Sequence, residues 1–305
     1  MSLNDEYSRM VERANSEPAD VEVDNLQQGP EWLPRTSEEL CNLVGNWRIL
    51  QRVGSHRWTT DDLVTAWVAS LHYDKCLTSI NYLDLGTGNA SVLQMTVWAM
   101  LKQGKKVKAM GVEARSEAVA LALRSLQFNL GSPQEIVQIV HSDFRSLAVD
   151  KTFDLITGTP PYFSVDFNVK EGKVTKAIIN QGGMPTAKQS APARCEFRGG
   201  IEAYCEVASK CLRRVSGRFV FCANWLNHDR VISAAASFGL TVVMQLEVKG
   251  RQQKGNLFCV YVMALEPVYH HSTVPVEQLA VRTLNGDWTR DYKERVMSSM
   301  SIPFE

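Results

Sequence analysis

The chain has 305 residues, long enough for one large domain or two small ones around a buried core. Hydrophobic residues at 45% and charged residues at 22% are ordinary for a globular protein, and 33 basic side chains balance 33 acidic ones. A net charge of zero excludes capture of a polyanion by an overall positive field, so such a partner must be met by local basic patches. The seven cysteines, at 41, 76, 195, 205, 211, 222 and 259, form no C-x-x-C pair. That argues against a zinc cluster or a disulfide scaffold and suits a reducing compartment. The six histidines show no ligand spacing, so no metal site is expected. No apolar run approaches a membrane span, and Met1–Glu6 lacks a signal-peptide core. The expectation is an intracellular, cytoplasmic protein with no membrane partner.

Residues 1–40 carry ten acidic and three basic side chains with prolines at 18, 30 and 34, the composition of a flexible acidic tail assigned to 1–35. From Thr36-Ser37-Glu38-Glu39 the pattern turns helical, with Leu40, Leu43, Val44 and Trp47 at helical spacing behind a capping-type start. A second helix follows Thr59 or Thr60, with Asp61 and Asp62 in its first turn and Leu63, Val64, Trp67, Val68 and Leu71 as its apolar stripe. Residues 36–75 are thus expected to be a helical extension whose polar segment Arg57–Asp61 can line a cofactor pocket.

Strands and helices then alternate over 76–267. Strands are expected at Ile80–Leu85, Val107–Val112, Ile136–His141, Phe153–Thr157, Arg218–Ala223, Leu240–Val248 and Leu257–Leu265. Helices fall at Ala90–Gln103, Ser116–Leu130, Ile201–Arg213 and Leu226–Phe238. This order predicts a right-handed, doubly wound α/β sheet of seven strands, mostly parallel, whose terminal hairpin supplies an antiparallel edge strand. Residues 268–305 read as a polar extension with a turn at Asn285-Gly286-Asp287 and a short helix around Asp291–Met300.

Four features carry chemistry. In Asp84-Leu85-Gly86-Thr87-Gly88-Asn89-Ala90, Gly86 and Gly88 let the backbone pass close under a ligand, beside the free N–H groups of a helix start. The third glycine of a pyrophosphate loop is absent, which favours a ligand without a diphosphate. Glu113, followed by Ala114, ends the second strand, where a carboxylate can accept from both hydroxyls of a ribose. Asp143 ends the third, where it can receive an adenine amino group while Phe144 packs on the ring. Finally, Thr159-Pro160-Pro161-Tyr162-Phe163 stops the fourth strand in a stiff elbow that can hold a flat substrate, since both prolines fix φ.

This constellation resembles the class I S-adenosylmethionine-dependent methyltransferases, and more narrowly the bacterial group that methylates N6 of adenine 37 in a valine tRNA. The similarity runs over about residues 45–300. Beside the motifs above it takes in Gly54–Asp61, Ala193-Arg194-Cys195-Glu196, Lys249–Phe258 and Leu279–Tyr292. The resemblance implies a Rossmann-like fold, S-adenosylmethionine as cofactor, and an RNA partner (tRNA or rRNA). It assigns Asp84, Gly86, Gly88, Glu113, Ala114, Asp143, Phe144 and Thr60 to the cofactor. It makes Thr159, Pro160, Pro161 and Tyr162 the catalytic set, and gives Phe163, Arg194, Lys249 and Arg251 to the substrate. Where the family has Asn or Asp as the first of the four catalytic residues, this chain has Thr159, whose hydroxyl is shorter and accepts one bond.

The segment 163–198 adds six basic residues against three acidic ones, a loop suited to an RNA backbone, and Lys249, Arg251 and Lys254 form a second basic cluster. Two other readings stand beside adenine-N6 methylation. The glutamine-N5 methyltransferases of release factors use a similar elbow on a protein amide. A non-catalytic methyltransferase-like subunit would instead bind RNA or an assembling particle, with a protein partner the sequence does not name.

Overall fold

A computed structural model describes residues 32–54, 57–147, 152–162, 167–168, 173–174, 196, 199–265 and 274–304. The acidic tail up to residue 31 lies outside them, as does most of the loop 163–198, including Phe163 and Arg194.

The central strands are short apolar runs buried on both faces, the pattern of a parallel sheet covered by helices. They are β3 (Ser79–Leu85), β4 (Lys106–Glu113), β5 (Val137–His141), β6 (Leu155–Gly158) and β9 (Arg218–Asn224). The two-residue strands Phe167–Asn168 (β7) and Lys173–Val174 (β8) pair apart from this sheet. With β10 (Leu240–Arg251), β11 (Phe258–Leu265) and β12 (Val276–Arg282), the main sheet has eight strands in the order β12-β10-β11-β9-β6-β3-β4-β5. The expected antiparallel strand is β11, which opposes both β9 and β10 near one edge. All the other neighbouring strands pair in parallel. The carboxyl ends of β3, β4, β5, β6, β9, β10 and β12 therefore share one side of the sheet.

Helices cover both faces. α1 (Thr60–Leu71), α2 (Ser91–Lys102) and α3 (Ser116–Leu130) bury one face together with the C-terminal segment around Tyr292. α4 (Ile201–Cys211) and α5 (His228–Ser237) bury the other, around Leu83, Ile156, Phe219 and Phe221. No helix among the described residues is long and apolar enough to cross a membrane.

Two expectations change. The predicted helix after Thr36 is instead an antiparallel hairpin of β1 (Glu38–Asn42) and β2 (Arg48–Arg52). Leu43, Val44 and Trp47 sit in its turn, where all three are buried, so their spacing reflects packing and not a helical period. The hairpin is fixed from outside. Leu50 N donates to Ser125 Oγ (2.9 Å), Arg48 N donates to Asn129 Oδ1 (2.9 Å), and Arg124 of the same helix pairs with Glu38 at 2.8 Å. Tertiary partners of this kind outweigh local propensity. The N-terminal extension is thus a hairpin followed by one helix. The second change is the eighth strand, β12, which the polar composition of residues 268–305 conceals because only Leu279 and Val281 of it are buried. Behind it the expected short helix is a turn at Arg290–Tyr292 (α6) that continues as a π turn, Lys293–Met297.

Candidate active site

The glycine loop follows β3 into α2. Gly86, Gly88 and Ala90 all have positive φ, at +64°, +59° and +66°. At Gly86 a side chain is excluded twice, since a Cβ would also run into the Tyr204 hydroxyl. Asp84 beneath the loop is buried and accepts from the hydroxyls of Thr87 and Thr157, each at 2.5 Å. Burial pushes its carboxyl up to about 6, although the two hydroxyl bonds pull the other way.

The two other acids stand at the adjoining strand ends. Glu113 accepts Gly88 N–H at 2.9 Å on one oxygen, and Arg115 N–H and Nε at 2.8 and 2.9 Å on the other. Asp143 takes Arg145 in a fork, with Nε at 2.9 Å and Nη2 at 2.6 Å. Each acid is therefore capped by an arginine two residues further on. Ala114 offers its carbonyl to His141 Nε2 (3.2 Å), and Phe144 is buried against Tyr204, with ring centres 4.5 Å apart.

Thr159 leaves β6 half-buried, and Pro160 behind it is buried. The Tyr162 hydroxyl points inward. It donates to Asp61 and lies 3.5 Å from Cys222 Sγ, while the Tyr162 carbonyl receives Asn227 Nδ2 at 3.4 Å. Burial above all, and then the Asp61 carboxylate, push the phenol well above its ordinary value, so it remains a donor. Asp61 belongs to the first turn of α1, where Thr59 N–H donates to Asp62 at 2.9 Å in a capping box. Burial raises the Asp62 carboxyl, and the charges of Asp61 and Asp84 add to it. Thr60 turns the other way, to Tyr292.

The structure thus brings Asp84, Gly86, Gly88, Glu113, Asp143 and the elbow to one side of the sheet. Thr60 and Arg57 face other partners, with Arg57 bound to Glu39 and Cys41. Lys249 and Arg251 lie at the end of β10, three strand places from β6, or about 14 Å at the usual spacing. Of the family-like segment after the loop, Glu196 pairs with Arg230 at 2.8 Å. Tyr204, Cys222 and Asn227 were not singled out in the sequence. Their signal was weak, since Tyr204 lies within α4, Cys222 within β9 and Asn227 in the turn before α5.

Residues 46–185, a little under half of the chain, match the methyltransferase small domain. The chain carries an S-adenosylmethionine-dependent methyltransferase domain. No curated protein matches it. Among solved structures, a predicted O-methyltransferase of Agrobacterium tumefaciens superposes with a TM-score of 0.52 at 14% identity, covering 77% of this chain and 96% of that one. The type I restriction-modification methyltransferase subunit of Streptococcus thermophilus gives 0.51 at 13%, covering 84% and 55%. Trm5 of Methanocaldococcus jannaschii, in complex with adenosine, gives 0.50 at 10%, covering 75% and 56%. At these identities the likeness is one of fold.

The methyltransferase domain's cofactor is S-adenosylmethionine, and the crevice fits it in its glycine cradle and its carboxylates. A carboxylate has about four acceptor positions, of which Glu113 uses three. A ribose presenting two hydroxyls needs two, so one bond from Arg115 or Gly88 must give way.

Proposed function

We propose that this methyltransferase acts on an exocyclic amino nitrogen, adenine N6 in a structured RNA, with the cofactor held by Asp84, Gly86, Gly88, Glu113 and Asp143. The observation that carries the reading is the elbow Thr159–Tyr162 at the end of β6, hydrogen-bonded neighbour to the Asp84 strand. An aromatic amine is a poor nucleophile because its lone pair is delocalised into the ring. Two acceptors that hold its N–H bonds turn that lone pair out of the ring plane, and here the Thr159 hydroxyl and the Pro160 carbonyl are the pair available. Tyr162 supplies a ring for the extruded base, and its bond to Asp61 limits how far that ring can turn. When bound, S-adenosylmethionine would supply the methyl group from its sulfonium: the amine nitrogen would displace the neutral thioether directly, with no covalent enzyme intermediate, and the spare amine proton would pass to solvent.

Phosphates would be met by Lys249, Arg251 and Lys254 of the last hairpin and by Arg194, with Phe163 beside the base. The test has two arms. Isothermal titration with S-adenosylmethionine is expected to show binding that a Gly86→Asp variant loses; wild-type affinity in that variant would remove the cofactor assignment. Incubation of labelled cofactor with RNase-treated and protease-treated extracts is expected to leave label in RNA only. Label confined to protein would replace this reading by the glutamine-N5 one.

A further inference from the structure

Beside the elbow, the chain leaving β9 builds an aromatic surface that neither the cofactor nor the catalytic residues use. Trp225 follows the last residue of β9, and its ring lies 4.6 Å from that of His228 at 31°. His228 is backed in turn by Tyr261, at 5.8 Å and again 31°, and its Nδ1 is 2.9 Å from the Tyr261 hydroxyl. Tyr261 is itself fully buried in β11. The indole therefore rests on a column anchored in the core, and its orientation is fixed before any ligand arrives.

Trp225 is half-buried against the core, with two exposed apolar side chains beside it. Leu226 is 73% exposed and Leu257 is 54% exposed, and Trp225 N–H binds the Leu257 carbonyl at 3.1 Å, which holds the two segments together. Large apolar side chains left in water beside a site commonly mark a contact surface. The same hairpin carries Lys249, Arg251 and Lys254, with no acid between Lys249 and Leu257. The acids nearest in the chain are Asp229 and Glu247, and Glu247 receives Gln278 Nε2 at 3.1 Å. Asn227, two residues beyond Trp225, bonds the carbonyl of Tyr162. Two residues span at most about 7 Å, and the Asn227 side chain with its 3.4 Å bond adds roughly as much again, so the platform stands within about two nucleotide steps of the elbow.

We propose that Trp225, flanked by Leu226 and Leu257, is a stacking platform for a nucleobase near the target in an unpaired, single-stranded segment of that RNA, with the hairpin cations taking the backbone beyond it. The inference rests on the RNA reading of the acceptor. Its physics is that of single-strand binding, in which a π-face accepts any base and cations follow the phosphates. A rigid indole is suited to this because it loses little conformational freedom on contact.

The test is fluorescence anisotropy of a labelled single-stranded oligoribonucleotide of about ten nucleotides, using the whole chain. Trp225→Ala is expected to weaken binding roughly tenfold, Leu226→Asp to weaken it as well, and Trp225→Phe to stay near wild type. An oligonucleotide abasic at one flanking position should bind wild type as weakly as the intact one binds Trp225→Ala. Unchanged S-adenosylmethionine affinity by titration certifies that each variant is folded. Equal binding by wild type and Trp225→Ala, or a patch that takes a peptide and not the RNA, would overturn the proposal. Failure of the methylation reading is seen separately, as RNA binding without label transfer.

Discussion

The two halves of the crevice are built differently. Under the ends of β3, β4 and β5, every acid has its partners within the chain: Asp84 two hydroxyls, Glu113 a loop N–H and an arginine, Asp143 a forked arginine. Past the ends of β6 and β9 the chain leaves Thr159 half-buried and exposes Leu226, Leu257, Arg251 and Lys254. A small ligand of fixed shape is served by a preformed cradle, because preorganisation lowers the ordering cost of binding. A macromolecule brings its own surface, so exposed apolar and basic groups can wait for it in water. The boundary between the halves runs through Tyr162 and Asp61, which join the elbow to α1.

That division can be broken by separate substitutions. The largest effect is expected from Gly86→Val, which combines a left-handed β-branched residue with overlap on Tyr204. It should cost about 2–5 kcal/mol of stability and abolish the titration heat of S-adenosylmethionine. Next comes pH. Asp84 titrates at about 6 in the folded chain against an ordinary 3.8, so the folded state holds its proton more tightly than the unfolded one. Stability should therefore fall as pH rises from about 4 to 6 and stay lower above, by no more than about 3 kcal/mol, with Asp62 acting in the same direction. Thermal unfolding across that range is expected to flatten in Asp84→Asn.

Tyr162→Phe is expected to cost about 1–2 kcal/mol, because it strips a buried donor from Asp61. It should raise KM for RNA while leaving the cofactor Kd unchanged, and a change in cofactor Kd instead would show that the halves are one unit. The smallest effect belongs to Lys254→Ala on the exposed hairpin. Stability should hold within about 0.5 kcal/mol, while the slope of log affinity for single-stranded RNA against log salt falls by about 0.7.

The same contrast governs what could be read from the sequence. The half under β3, β4 and β5 was legible because each acid falls where an apolar run gives way to a turn, so strand end and carboxylate position are encoded together. The arginine caps were also within reach, since Glu113-Ala114-Arg115 and Asp143-Phe144-Arg145 repeat one spacing. The hairpin at 38–52 was not, because what holds it are Ser125 and Asn129, 75 and 81 residues further along. Its buried turn residues imitate a helix. Strand β12 escaped for the opposite reason, with too few buried residues to set a period. The Trp225 platform draws its meaning from Asn227 touching Tyr162, a contact no local pattern contains.

The central claim is transfer to an amino nitrogen of RNA by the elbow. It is tested most directly by incubating the protein with labelled S-adenosylmethionine and total RNA from cells lacking it, then analysing the nucleosides by mass spectrometry. The expected product is N6-methyladenosine, more of it with Thr159→Asn, which supplies the longer acceptor, and none with Gly86→Asp. Label in protein alone, or methyl groups on RNA carbon or ribose oxygen, would contradict it.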